Sequence, residues 1–308
     1  MVNSLNRTPP KPVQEMLRKE VNFGCPVRGC GIPYLTLHHF DPPWSEKEHH
    51  NPEGMIALCA KDAELADGGR WTKEQLRQMK KNPDVPLSKI SEYYGYIRKN
   101  VVCIIGNVAY NVKNALEIYG ERVIGLERDI DGYNRLNLLI RDTNRNPVLV
   151  MENNFWTAIS RELFDLRCSA QGKELEIISK DKQTRLSMQF DDYTLDAFRN
   201  RLQSSIKNMP KFELPEWLNE EYKEMLRKSP SSDKSPIDEF ISHIGSPEFV
   251  PTWTIKGKLL WGNVHLEIRD FEIEDLIHKT IFRMCFVLGG RTAFSFSDRS
   301  TSLGVSRN

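Results

Sequence analysis

The sequence predicts an α+β protein, and two observations carry that reading. Up to about residue 95, short helical patterns alternate with two brief apolar runs. From Val101 onward, segments rich in β-branched and aliphatic residues recur between turn pairs such as Gly106-Asn107, Asp131-Gly132 and Gln171-Gly172. A chain of 308 residues is long enough for two domains. We place them at 1–95 and 100–308. The second is a β-rich mixed domain with a linker near 229–236, where Ser, Pro, Asp and Lys crowd together.

In chain order, residues 1–11 are polar and Pro-containing and form an arm. Val13–Val21 reads as a short helix and Tyr34–His39 as a strand. Trp44–Glu53 is a polar loop, and Met55–Leu58 is a second short strand. Asp62–Ala66 opens a helix that Gly68-Gly69 ends. Thr72, with Gln75 three residues on, is a capping box for a helix over Lys73–Lys81, which Pro83 stops. Strands follow at Val101–Ile105, Arg122–Glu127, Arg135–Arg141, Pro147–Glu152, Glu174–Ser179 and Arg185–Phe190. Tyr193–Ile206 reads as helix. Thr252–Leu260 and Val264–Arg269 read as a hairpin, Phe271–Val287 as a helix, and the Ser-rich residues from Arg291 as a frayed end.

Composition narrows the class. Hydrophobic content of 39% and a mean hydropathy of -0.51 fit a soluble protein, and no apolar run reaches the length of a membrane span. The start, Met1-Val2-Asn3-Ser4, lacks a basic region followed by an apolar stretch, so no secretion signal is read there. Cys103, Cys168 and Cys285 are scattered, which favours reduced thiols in the cytoplasm over a disulfide framework. Net charge is +1, so no global field attracts nucleic acid. Residues 1–100 carry 15 Lys+Arg against 12 Asp+Glu, a small positive excess that an ordinary solvated surface explains equally well.

The chemistry concentrates in residues 25–67. Cys25 and Cys30 read as one half of a zinc knuckle, a reading favoured over three ordinary buried cysteines because Cys-Pro-x3-Cys is followed by Leu-Cys at a helix start. Cys59 and Asp62, at the usual two-residue ligand spacing, form the other. Three thiolates and a carboxylate hold a metal less tightly than four sulfur or nitrogen ligands. His38-His39 lies on a strand, where successive side chains take opposite faces. One imidazole can then meet a cation while its neighbour meets a water. Phosphodiester hydrolysis needs that division: a cation for the phosphate and leaving oxygen, and a near-neutral base for the water. An Asn such as Asn51 can hold the base's other ring nitrogen. The second pair, His49-His50, sits among Glu46, Lys47 and Glu48 and reads as solvated loop.

The run Cys-x4-Cys, Leu-x-x-His-His-Phe-Asp-Pro, His-Asn-Pro-Glu-Gly-Met-x-x-Leu-Cys, Ala-Asp and Trp-Thr-x-x-Gln-Leu resembles the HNH endonuclease family, the ββα-metal fold in a zinc-stapled bacterial form. The match covers roughly residues 13–81. The resemblance implies a DNA hydrolase with His39 as general base, Asn51 orienting it and His38 binding catalytic Mg2+ or Mn2+. It also implies structural Zn2+ on Cys25, Cys30, Cys59 and Asp62. Ala63 stands where the family's last metal-binding His belongs, and a methyl ligates nothing. The chain is therefore expected to be inactive or strongly impaired. Decay seldom stops at one clean change to Ala, so an introduced substitution is favoured over natural loss.

HNH chains with a β-rich extension resemble bacterial defence effectors, among them the HNH subunits of short prokaryotic Argonautes, whose C-terminal APAZ region replaces missing Argonaute domains. That implies a guide-RNA-loaded Argonaute partner, target DNA as trigger and assembly into a higher oligomer on activation. The rivals are a stand-alone restriction-type nuclease and a non-catalytic, zinc-stapled DNA-binding module. In the β-rich part, Asn154-Phe155-Trp156 is either core or a recognition surface, and Cys168 reads as core.

Overall fold

A computed structural model describes residues 5–208, 235–245, 247–261, 264–277, 280–283, 286–288, 292 and 294–296. The chain is a mixed α+β, strand-rich protein. No helix among the described residues is long and apolar enough to cross a membrane.

The first elements are α1 (Lys11–Glu20), β1 (Leu35–His39), β2 (Met55–Cys59), α2 (Ala60–Asp67) and α3 (Lys73–Lys81). Strands β1 and β2 form their own antiparallel two-stranded sheet, pairing His38 with Ile56 and His39 with Met55. Local chemistry sets the borders. Pro10 precedes α1 with Lys11 and Pro12 in its first turn. Thr72 and Gln75 exchange the two hydrogen bonds of a capping box at α3. Leu17 and Val21 at the end of α1, all of β2, Ala63 and Leu76 form one buried cluster around the strand pair.

The rest is built on two larger sheets. Strand β3 (Ile90–Tyr93) closes one edge of the first. Strands β4 (Val102–Ile104) and β5 (Val108–Tyr110) join the second. The first sheet continues through β6 (Asn114–Ile118), β7 (Glu121–Arg128), β8 (Asn134–Arg141), β9 (Pro147–Glu152) and β10 (Phe155–Ala158). The second runs through β11 (Leu163–Cys168), β12 (Glu174–Ser179), β13 (Arg185–Thr194), β14 (Phe249–Trp261), β15 (Val264–Ile268), β16 (Glu272–Asp275) and β17 (Thr280–Arg283). Strand β18 (Phe286–Leu288) pairs in parallel with β5, and β19 (Ser295–Phe296) with β6. Strict alternation of buried and half-buried residues along β8 is what a one-sided sheet requires. A single large core lies against both sheets. Helices α4 (Leu195–Asn208) and α5 (Pro236–His243) cover a separate cluster that includes Val102, Phe198, Phe240 and Val250.

Three expectations change. The described residues of 271–287 do not form a helix: β16 and β17 extend the edge of β15 by antiparallel pairing, Leu266 opposite Asp275 and Ile273 opposite Phe282. Burial along β16 alternates with period two. The frayed end is corrected in part, because Phe294 and Phe296 are buried and β19 pairs with β6. Of the expected linker, Ser235 caps α5 and Pro236 opens it. Residues 1–4, 229–234, Cys285 and 297–308 lie outside the described residues.

Candidate functional site

Two clusters flank the β1–β2 pair. The first is the thiol cluster. Cys25 and Cys30 lie between α1 and β1, where the Cys25 and Ile32 backbones hydrogen-bond and Cys30 N–H reaches Val27. Cys59 ends β2, and Asp62 lies in the first turn of α2. One ligand atom from each of the four residues falls within 4.8 Å of all the others. The thiols of Cys25 and Cys59 donate to Asp62 Oδ2 at 3.1 and 3.3 Å, and Cys30 Sγ lies 3.8 Å from Cys59 Sγ. Two thiolates bound tetrahedrally at about 2.3 Å from zinc lie about 3.8 Å apart. The cluster thus has the donor set and the spacing to hold a metal ion, compatible with zinc.

Electrostatics agree with that reading. Burial pushes the Cys25 thiol far up and Cys59 up to about 11, so neither ionises near neutral pH without a cation. Burial also pushes Asp62 up, but hydrogen bonds from Cys25, Cys59 and Cys30 outweigh it and hold the carboxyl below its usual range. A divalent ion would take the place of the thiol protons, releasing them as it binds.

The second cluster surrounds the imidazole pair. His38 and His39 are adjacent on β1, and both are buried, at 8% and 5% exposure. They take opposite faces of the strand pair. His38 faces α2, with Nδ1 3.6 Å from Asp67 Oδ1. Asp67 follows Ala63 by four residues on α2, so the two share one helical face. Burial lowers the His38 pKa against the opposing pull of Asp67.

His39 points into the loop after β1. Its ring lies 4.7 Å from Trp44, 5.1 Å from His49 and 6.3 Å from His50, centroid to centroid, and Trp44 stacks on His50. His39 Nε2 is 3.0 Å from the His49 carbonyl oxygen, which can only accept, so Nε2 carries the hydrogen. In the neutral ring Nδ1 therefore keeps its lone pair, and that atom is buried with no hydrogen-bond partner. Burial, then the neighbouring His49, push the His39 pKa down to about 4.

The loop is fixed at several points. His49 Nε2 donates to the Pro42 carbonyl at 2.9 Å, while its Nδ1 accepts from Asn51 N–H at 3.1 Å. Both ring nitrogens of His49 are thereby committed. Gly54 passes so close to Asp41 that a Cβ would lie 1.9 Å from its carbonyl oxygen. The Gly54 carbonyl accepts from Phe40 N–H and Asp41 N–H at 2.9 and 3.1 Å. Asp41 in turn binds Lys73 at 2.8 Å and also Arg77, both on α3. The Lys73 hydrogen bond, the largest influence, holds its carboxyl below the usual range.

One expected role changes hands. Asn51 does not bond the His39 ring. Its Oδ1 accepts from Glu53 N–H at 3.2 Å and caps the short 3-10 turn Pro52–Gly54. The His39 ring is instead held by the His49 backbone carbonyl. His49 and His50, read from sequence as solvated loop, are half-buried parts of the cluster, as is Trp44. Asp67 was also missed, although its four-residue spacing from position 63 was a usable signal. In the β-rich part, Asn154 and Trp156 are core: Asn154 Oδ1 accepts from Leu136 N–H and its Nδ2 donates to the Tyr94 carbonyl. Phe155 alone of that trio is exposed. Cys168 is buried, as expected.

The chain matches no protein-family model, no curated protein and no solved structure.

Proposed function

We propose that this protein is an HNH-type, metal-dependent endonuclease that hydrolyses DNA phosphodiesters, held here in an inactive form by Ala63. The observation that carries the proposal is the seat of His39: Nε2 is fixed on a backbone carbonyl, and Nδ1 is left buried, unprotonated and without a partner. A general base needs such an atom, and structural histidines usually use both nitrogens, as His49 does. Two antiparallel strands followed at once by α2, with a thiol cluster at the strand–helix corner, further support the ββα-metal reading.

His39 would accept the proton of the attacking water at Nδ1, and the His49 carbonyl would keep the ring aligned as the charge develops. His38, with a histidine restored at 63 and Asp67 one turn away, would hold Mg2+ or Mn2+. That ion supplies charge neutralisation at the phosphate and the leaving oxygen. Zinc on Cys25, Cys30, Cys59 and Asp62 would staple the residues before β1 to the start of α2. The β-rich remainder is read as the controlling part of a bacterial defence effector, docking a partner such as a guide-loaded short Argonaute.

Ala63→His tests the core of the proposal on plasmid DNA with Mg2+ or Mn2+. Metal-dependent nicking that His39→Ala abolishes in the same background is the expected result. No gain of cleavage would favour the second reading, a zinc-stapled DNA-binding module in which alanine is the native residue at 63.

A further inference from the structure

His39 is not alone in its cluster in having an idle ring nitrogen. Nδ1 of His50 is also buried and has no hydrogen-bond partner. The two rings lie 6.3 Å apart, centroid to centroid, and are tilted by 44°. Trp44 packs on both, 4.7 Å from His39 and stacked on His50 at 5.7 Å. His49 differs, because the Pro42 carbonyl and Asn51 N–H take its two nitrogens. Buried polar atoms rarely go unpaired, so two of them on neighbouring rings point to a ligand that both can hold.

The far nitrogen of His39 favours a metal ion as that ligand. Metal-binding histidines almost always donate their other ring N–H to a carboxylate, a water or a backbone carbonyl, which fixes the tautomer and leaves a lone pair for the ion. His39 Nε2 donates in this way to the His49 carbonyl at 3.0 Å. An ion about 2.1 Å from one nitrogen of each of two rings sets their centroids about 6 Å apart, close to the spacing found. Among the described residues no third His, Cys, Asp or Glu completes a ligand group with this pair. The remaining positions fall to water. Imidazole donors select ions of the zinc, nickel and copper class over Mg2+, which prefers oxygen.

We propose that Nδ1 of His39 and Nδ1 of His50 form a second metal site, a two-histidine seat for a zinc- or nickel-class divalent ion. The site is separate from the thiol cluster. It is also separate from His38, whose ring takes the opposite face of the strand pair. The inference does not need the nuclease reading. Where that reading holds, the site is inhibitory, because the ion occupies the lone pair with which His39 takes a proton from water.

Calorimetric titration of the untagged, zinc-loaded chain with NiCl2 tests the site. We expect one equivalent bound in the micromolar range, undisturbed by millimolar Mg2+. His39→Gln and His50→Gln should each weaken it roughly tenfold or more. His50→Cys supplies a new donor at the same position and should keep binding, which separates a lost ligand from a damaged loop. Zinc retained on the thiol cluster reports that each variant is folded. If the unaltered chain binds no Ni2+, the site does not exist. If binding survives His50→Gln, the ion sits elsewhere, at His38 if His38→Gln removes it or at a surface residue such as the exposed His243 if not, and the proposal is overturned. Neither failure bears on cleavage by Ala63→His, which tests the nuclease reading by itself.

Discussion

Replacing Asp165 by Asn should detach α1 from the second large sheet. Arg18, near the end of α1, meets Asp165 of β11 in a two-pronged contact, Nε to Oδ1 at 2.9 Å and the terminal nitrogen to Oδ2 at 2.6 Å. The side chains are only 8% and 3% exposed, so water screens little of the attraction. At an effective dielectric of about 20, two unit charges about 4 Å apart interact by about 4 kcal/mol. Removing one member of a buried pair typically costs about 3–5 kcal/mol, because the other charge stays buried. Asn keeps the shape and one acceptor, so about 3 kcal/mol is the expected loss. The helix also packs on β1, β2 and the Pro52–Gly54 turn, which carry the candidate site. The loss should therefore appear as local opening there. Hydrogen exchange of the α1 amides around Leu17 is the assay, and about 3 kcal/mol corresponds to about a hundredfold faster exchange. Arg18→Met with Asp165→Leu removes both charges and should recover most of the protection. Less than about fivefold acceleration in Asp165→Asn would refute the premise that this pair is desolvated and pins α1.

Three further outcomes follow from the site geometry. The purified protein should carry about one equivalent of zinc by elemental analysis; Cys59→Ser should lose it, and Asp62→His should bind it more tightly than the native carboxylate. Acid should destabilise the His39 seat: with its folded pKa near 4 and an unfolded value near 6.5, the folded state binds fewer protons between those limits. Its contribution is thus fully present above about pH 6.5 and is lost as pH falls toward 4, about 3 kcal/mol, and His39→Gln should flatten that part of the melting-temperature profile. Gly54→Ala should destabilise by about 2–3 kcal/mol in thermal melts, because its methyl would meet the Asp41 carbonyl, which is backbone and cannot swing aside.

Elements governed by local rules were legible in the sequence. The capping box at Thr72 needs only residues 72–75, and the alternation along β8 needs only one strand. Residues 271–287 failed as a helix because their apolar spacing satisfies either period, and the exposed edge of β15 decided between them. Phe294 and Phe296 were hidden in a polar, Ser-rich context; pairing with β6, far away in sequence, buries them.

For the candidate site, the sequence by itself determined the inventory of donors: the thiols, the imidazole pair and the two-residue spacing that sets Cys59 and Asp62 on one corner. Side-chain chemistry is written in the residue types, so it can be read without coordinates. Only the tertiary structure decided who serves whom. It brought Cys25 and Cys30 against the Cys59–Asp62 corner, put Asp67 beside His38, and gave His39 a backbone carbonyl for support instead of the Asn51 amide. Every residue carries the same backbone carbonyl, so no sequence pattern marks the one that a fold will aim at a ring.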